Sequence, residues 1–362
     1  WDVGVDYGLF NNRLTGSFDY FVRFTEGMVG PSAELPATLG ISTPSSNNSD
    51  LRTKGWEVSI GWKDRLKNGL GYGINLSLSD QITMIDSYPD NKTLSIDSYL
   101  PGYKDGLIWG YETIGIAKSD EEMQAHLASL PKGGQDAVGS QWAAGDIMYA
   151  DQDGKPGITK GAQTLEDHGD LKVIGNNTPR YHFGLDLNAN YKGFDVRLFF
   201  QGVMKRDYWQ GSNIFWGVGQ WGMWWSTGLK EHEDYFRDEP VGLAGHEIAA
   251  NVNSYYARPR FDSTQNQETQ TRYLQDASYI RLKNFQLGYT LPASMIRKIG
   301  ITNCRIFVSG ENLWTGTKLS KLFDPETISG GNTDSNASAP IKSAGNAYPL
   351  SRTWSFGLSV SL

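Results

Sequence analysis

The stretch "RYHFGLDLNANYKGFDVRLFFQG", from Arg180 to Gly202, alternates apolar and polar side chains, turns, and alternates again. Tyr181, Phe183, Leu185, Leu187, Ala189 and Tyr191 fall on one face. His182, Gly184, Asp186, Asn188 and Asn190 fall on the other. A period of two marks β-strands, because successive side chains point to opposite faces. Lys192-Gly193 suits a two-residue hairpin turn. Phe194, Val196, Leu198 and Phe200 resume the pattern on the return.

The same period recurs along the chain: Val3 to Leu9, Leu14 to Phe24, Trp56 to Trp62, Leu70 to Leu78, "SYIRLKNFQLGYTL", "NCRIFVSGENLW" and Trp354 to Leu362. The pattern predicts about nine strands of roughly 9–13 residues. Strands of soluble domains run to about 5–6 residues, whereas a tilted membrane-spanning strand needs about 9–11. The faces opposite the apolar ones hold Gly, Ser, Asn, Asp and Thr rather than the Lys and Glu of a sheet bathed in bulk water. Small uncharged side chains suit a crowded polar lumen, so a barrel is favoured over a soluble sandwich.

The connections are asymmetric. Those at 10–13, 63–68, 192–193 and 291–301 are short, and those at 26–53, 80–178, 207–271 and 314–350 are long. Compact soluble domains seldom carry several loops beyond about 15 residues. Alternating short and long connections are the mark of outer-membrane barrels, with short periplasmic turns and long extracellular loops. The strands alternate consistently only if 107–117 does not span. Ser119 and Glu122 form a capping box for a short helix after it, so 80–178 is expected to be a folded lid. Pro292 should open a short helical turn.

Composition narrows the classes further. A net charge of −7 argues against nucleic acid, which needs a concentrated basic surface. Cys304 is the single cysteine, so no disulfide framework forms within the chain. Mean hydropathy is −0.45, and no run approaches the roughly 18 apolar residues of a membrane helix. A helical membrane protein is excluded and a β-barrel is not. The chain opens at Trp1 directly on a strand, without a signal peptide, and reads as a piece of a larger protein.

Six stretches in order, "DVGVDYGLFNNRLTGSFDYF", "GDIMYADQDGKPGI", "VIGNNTPRYHFGLDL", "SYIRLKNFQLGYTLP", "SGENLWTGTKLSKLFDPE" and "YPLSRTWSFGLSVSL", resemble the SusC/RagA family of TonB-dependent outer-membrane transporters of Bacteroidetes. The resemblance covers nearly the whole chain and is weakest across 207–260. It implies that residues 1–362 are the C-terminal part of an antiparallel barrel of about 22 strands. The plug domain and TonB box would lie outside the chain. It further implies a SusD-like surface lipoprotein as partner, outer-membrane lipid around the wall, and energy from TonB-ExbB-ExbD through the missing N-terminal part. The implied cargo is an oligosaccharide or, in some members, a peptide.

Candidate functional residues concentrate in "YWQGSNIFWGVGQWGMWW". Trp209, Trp216, Trp221, Trp224 and Trp225 fall within one predicted extracellular loop. Indole rings stack on the C–H faces of sugars, and they also fill loop cores or anchor at membrane interfaces. Glycan contact, lipoprotein contact and plain packing all remain open at this point. In "DQDGKPGITKG", Asp151 and Asp153 have the first spacing of a calcium loop, but Lys155 and Pro156 stand where an oxygen ligand and Gly are required. A turn without metal is the expectation there. His126, His168, His182, His232 and His246 show no metal-ligand spacing. No nucleophile grouping or convergent carboxylate pair can be placed, so neither enzyme activity nor a cofactor is expected. Asp186, Asp195, Arg197, Arg281 and Lys283 are expected on the lumen side, paired with one another or with the plug.

Two other readings compete: a secreted all-β carbohydrate-binding or adhesin module, and a passive porin-like channel. The final "RTWSFGLSVSL" would place Trp354, Phe356, Leu358, Val360 and Leu362 toward lipid. It resembles the C-terminal signal read by outer-membrane assembly machinery, apart from ending on Leu362 rather than an aromatic. We therefore expect an authentic C-terminus.

Overall fold

The computed structural model describes residues 1–31, 38, 40, 45–217, 228–260, 263–328 and 348–361. The principal strands are β1 (Asp2–Leu9), β2 (Leu14–Pro31), β3 (Ser45–Arg65) and β4 (Gly71–Ser87). Between β4 and β9 lie β5 (Leu107–Gly110), β6 (Thr113–Ile116), helix α1 (Asp120–Ser129), β7 (Ile147–Tyr149) and β8 (Lys172–Asn176). The wall resumes with β9 (Arg180–Tyr191) and β10 (Phe194–Lys205). After β11 (Asp207–Tyr208) and β12 (Gln275–Asp276) it ends on β13 (Tyr279–Thr290), β14 (Asn303–Thr317) and β15 (Thr353–Ser361). One nine-stranded sheet has the order β1-β2-β3-β4-β9-β10-β13-β14-β15. Every pairing in it is antiparallel between wall strands consecutive along the chain.

Register carries the period-two pattern across the whole sheet. One row runs Tyr7, Gly16, Ile60, Leu76, Leu185, Phe200, Leu282 and Trp314. The next row along runs Asp6, Ser17, Ser59, Ser77, Gly184, Gln201, Arg281 and Thr315. A slip of one residue anywhere would exchange the two faces. At the short-turn end, Lys192 and Gly193 both take positive φ (48° and 87°), as a type I′ hairpin turn demands. A short helix, Ala293–Ile296, follows Pro292, and Gly300 closes that connection at φ 79°.

The wall strands β2, β3 and β4, at 18, 21 and 17 residues, are longer than the sequence pattern indicates. Their extra length includes "SSNNSDLRT" (45–53), polar on both faces, so no alternation announces it. Backbone pairing, with side-chain bonds such as Arg52–Asp86 and the Gly27 N–H to Asp50, carries these extensions, and the 26–53 connection is shorter than expected as a result.

The packed core does not sit on the sheet. Its large cluster of buried apolar residues, from Ile96 to Ile328, contains no residue of the nine wall strands. The apolar face of the sheet is instead exposed at Val3, Val5, Phe18, Ile60, Ile74, Leu287, Ile306, Phe356 and Leu358. A soluble sandwich buries that face.

Candidate functional site: the lid and the polar wall

At the long-connection end, the chain folds into a lid with its own small sheets, β5–β8, β6–β7 and β11–β12. Ser119 caps α1 by accepting the Glu122 N–H at 3.2 Å, while the Glu122 carboxylate accepts from the Lys118 N–H at 2.6 Å. Residues 107–117 enter β5 and β6 and stay out of the nine-stranded sheet. Gln135, fully buried, acts as a surrogate strand for β7. Its amide N–H donates to the Ile147 carbonyl and its Oε1 accepts from the Tyr149 N–H.

Asp146 joins the two long connections. Its buried carboxylate accepts from Arg260, from Asn266 and from the Ala143 N–H. The described residues of 88–178 and 207–271 therefore pack as one lid rather than two loops. Burial pushes the Tyr111, Tyr149 and Tyr273 hydroxyls above the ordinary tyrosine range, so all three stay protonated.

Trp216 is 9% exposed and packs among Phe215, Tyr256 and Tyr273, with ring centroids 4.9 Å from Phe215 and 5.0 Å from Tyr273. Trp209 packs against the same cluster, 6.3 Å from Trp216. Both rings belong to the lid's packing, and each also edges a cavity. Trp216 borders one of about 760 Å³ with Tyr235, Phe236, Tyr256 and Arg258. Trp209 borders one of about 500 Å³. Trp221, Trp224 and Trp225 lie outside the described residues. His232 is buried beside this cluster; its Nδ1 accepts from the Leu229 N–H and its Nε2 lies 3.0 Å from the Phe215 carbonyl. It is a packing residue of the lid.

Asp151 and Asp153 come together with Asp170, a residue the spacing did not single out. All three cap backbone. Asp151 accepts from the Gly154 N–H, Asp153 from the Lys155 N–H, and Asp170 from the Gln152 and Thr159 N–H groups. The Lys155 ammonium lies 3.3 Å from Asp153 and contributes positive charge beside the cluster. Burial raises the Asp170 carboxyl above its ordinary range, whereas the Lys155 N–H and ammonium lower Asp153.

On the polar face of the wall, charged residues pair. Arg197 binds Asp186. Arg305 donates to both Asp195 oxygens, at 3.0 and 2.6 Å, although β13 lies between their strands. Gly288 opens that path, because a Cβ there would lie 2.5 Å from Arg305 Nη2. Arg281 donates to Thr315, Asp324 and Glu326, and Lys283 donates to Glu326. These bonds dock segment 318–328, after β14, onto the wall.

An antiparallel meander with an exposed apolar face, an ion-paired polar face, tight turns at one end and a folded lid at the other is the wall of an outer-membrane β-barrel. Along nearly its whole length the chain is similar in sequence to TonB-dependent receptors. No protein-family model matches it. TonB-dependent receptor P3 of Formosa agariphila is 28% identical over 372 residues, covering 99% of this chain and 33% of the relative. TonB-dependent receptor P26 of the same organism is 25% identical, covering 99% and 34%. Among solved structures, the RagAB peptide transporter superposes with a TM-score of 0.65 at 20% identity, over 99% of this chain and 34% of that one. The RagAB importer in its closed-closed state gives 0.61 at 20% identity, over 99% and 35%. These likenesses concern the fold. The chain spans about a third of the length of the curated relatives it matches, and those relatives are receptors, not enzymes.

Proposed function

We propose that this chain supplies the barrel wall and extracellular lid of an importer that carries oligosaccharides across the outer membrane. A SusD-like surface lipoprotein works with it, and TonB-ExbB-ExbD drives it through a plug domain and TonB box outside these residues. Regions 80–178 and 207–271 face the cell exterior. Trp221, Trp224 and Trp225 contact substrate or lipoprotein. The observation that carries this reading is the placement of the core. The buried apolar cluster lies in the lid, while the sheet leaves its apolar face open. That arrangement needs lipid on one side of the wall and an aqueous lumen on the other. Similarity to TonB-dependent receptors along 99% of the chain favours energy-coupled import over an adhesin or a passive channel.

Deleting the gene from its host and measuring growth on defined oligosaccharides or peptides as sole carbon source tests the proposal. Loss of growth on an oligosaccharide, reproduced by loss of TonB, is the expected result. Loss confined to peptides would overturn the substrate class, and growth independent of TonB would overturn energy coupling.

A further inference from the structure

We infer that the cleft between the upper end of β4 and the lid is a binding site for neutral hexoses of the transported glycan. This deepens the import reading and rests on it. The cleft encloses about 500 Å³, within the range of about 300–1,000 Å³ typical of ligand sites. Tyr88, Tyr99, Tyr103, Trp109, Tyr208 and Trp209 line it. Ile85 forms part of its floor and shares the polar face of the wall with Ser77, Ser79 and Thr83. The site therefore stands where the polar face of the wall meets the lid.

Its chemistry is that of a sugar site. A pyranose presents apolar C–H faces and a rim of hydroxyls, so it needs an accessible ring and unspent polar groups beside it. Tyr99 provides the ring. It meets Tyr88 edge-on at 5.2 Å and 75°, which fixes its plane. It is nevertheless 52% exposed. Lys104, Asp105 and Asn177 provide the polar groups. They line the same cleft, and their side chains make no hydrogen bond or ion pair among the described residues. The Trp109 indole N–H is enclosed and has no acceptor among the described residues. Charge defines the class further. Two carboxylates, Asp97 and Asp105, face one ammonium, Lys104. Carboxylates accept from sugar hydroxyls and repel sulfate or uronate groups. The preferred ligand is neutral.

Calorimetry on the full-length receptor in detergent tests this, with neutral hexose oligosaccharides, sulfated or uronic oligosaccharides, and peptides as probes. Tyr99→Ala should weaken neutral-glycan binding by about ten-fold, and Tyr99→Phe should restore it. Asp105→Asn should weaken it as well. Because Tyr99 is half exposed, barrel assembly should survive, as judged by heat-modifiable gel mobility. Glycan binding unchanged in both Tyr99→Ala and Asp105→Asn would overturn the cleft assignment and leave the import reading standing. Tighter binding of sulfated or uronic glycans, weakened by Tyr99→Ala, would overturn the neutral preference. A receptor that binds only peptides would overturn the import substrate and the cleft assignment together.

Discussion

Gly288 lacks a side chain, and the ion pair across it depends on that. Arg305 and Asp195 stand on strands that do not touch, and the guanidinium reaches over β13 only because no Cβ blocks it. The same interval explains why the alternation marks Asp195 as an inward-facing charge without giving its partner. Period two gives the face of a residue, whereas reach across a third strand depends on what the third strand lacks. Gly288→Val should break the pair. Both groups are partly solvated, so the lost attraction accounts for about 1 kcal/mol, with displaced backbone adding to it. The midpoint of the heat-modifiable gel shift in detergent should fall. An unchanged midpoint would show that the pair does not support the wall.

Single elements here are held from outside themselves. The segment after β14 has no strand partner of its own and is fastened by Asp324 and Glu326 to Arg281 and Lys283. Asp324 also accepts the Glu326 and Leu350 N–H groups, which ties both ends of the β14–β15 connection to one carboxylate. Burial alone would raise that carboxyl, but the Glu326 N–H, Arg281 and the Leu350 N–H together hold it below its ordinary range. A lowered folded value means that the docking contribution is complete above the unfolded value of about 3.9 and is lost as pH falls below it. Backbone hydrogen exchange in 319–328 should stay slow from neutral pH to about pH 5 and quicken below about pH 4. In Asp324→Asn it should be fast throughout. Slow exchange in wild type at pH 3 would show that the strap is held by other contacts. The lid obeys the same logic on a larger scale: Phe215, fully buried, touches rings from 216, 255, 256, 273 and 323, so segments far apart in the chain pack around one ring.

The molecule as a whole inverts the usual relation between sheet and core. The wall offers apolar side chains to its surroundings, with Phe356 84% and Leu358 65% exposed, and β1 and β15 present open edges. Such edges template further strands. The isolated chain should associate in aqueous buffer and disperse only in detergent, which gel filtration with and without detergent will report. A sharp monomer peak without detergent, with cooperative unfolding, would contradict the barrel wall.

Alternation and connection length determined much of this. Lys192-Gly193, the Ser119 cap and the nine wall strands follow from local chemistry, because a strand's faces and a turn's φ values are written in adjacent residues, and the exclusion of 107–117 from the sheet follows from the parity of the strands around it. The lid is different. Asp146 meets Arg260, and Tyr111 meets Tyr149, across separations that no period encodes. Trp209 and Trp216 stood out by density alone, but density does not distinguish a ligand platform from a core. Only the packing put both rings against Phe215 and its neighbours. The aromatic run "YLPGYKDGLIWGY" held the signal for the cleft at Tyr99, Tyr103 and Trp109. The run alone does not announce a cleft, because its partners Tyr88, Tyr208 and Trp209 are brought to it by the fold. Faces are local properties of a chain; cavities and cores are made by residues far apart in it, and only tertiary structure brings them together.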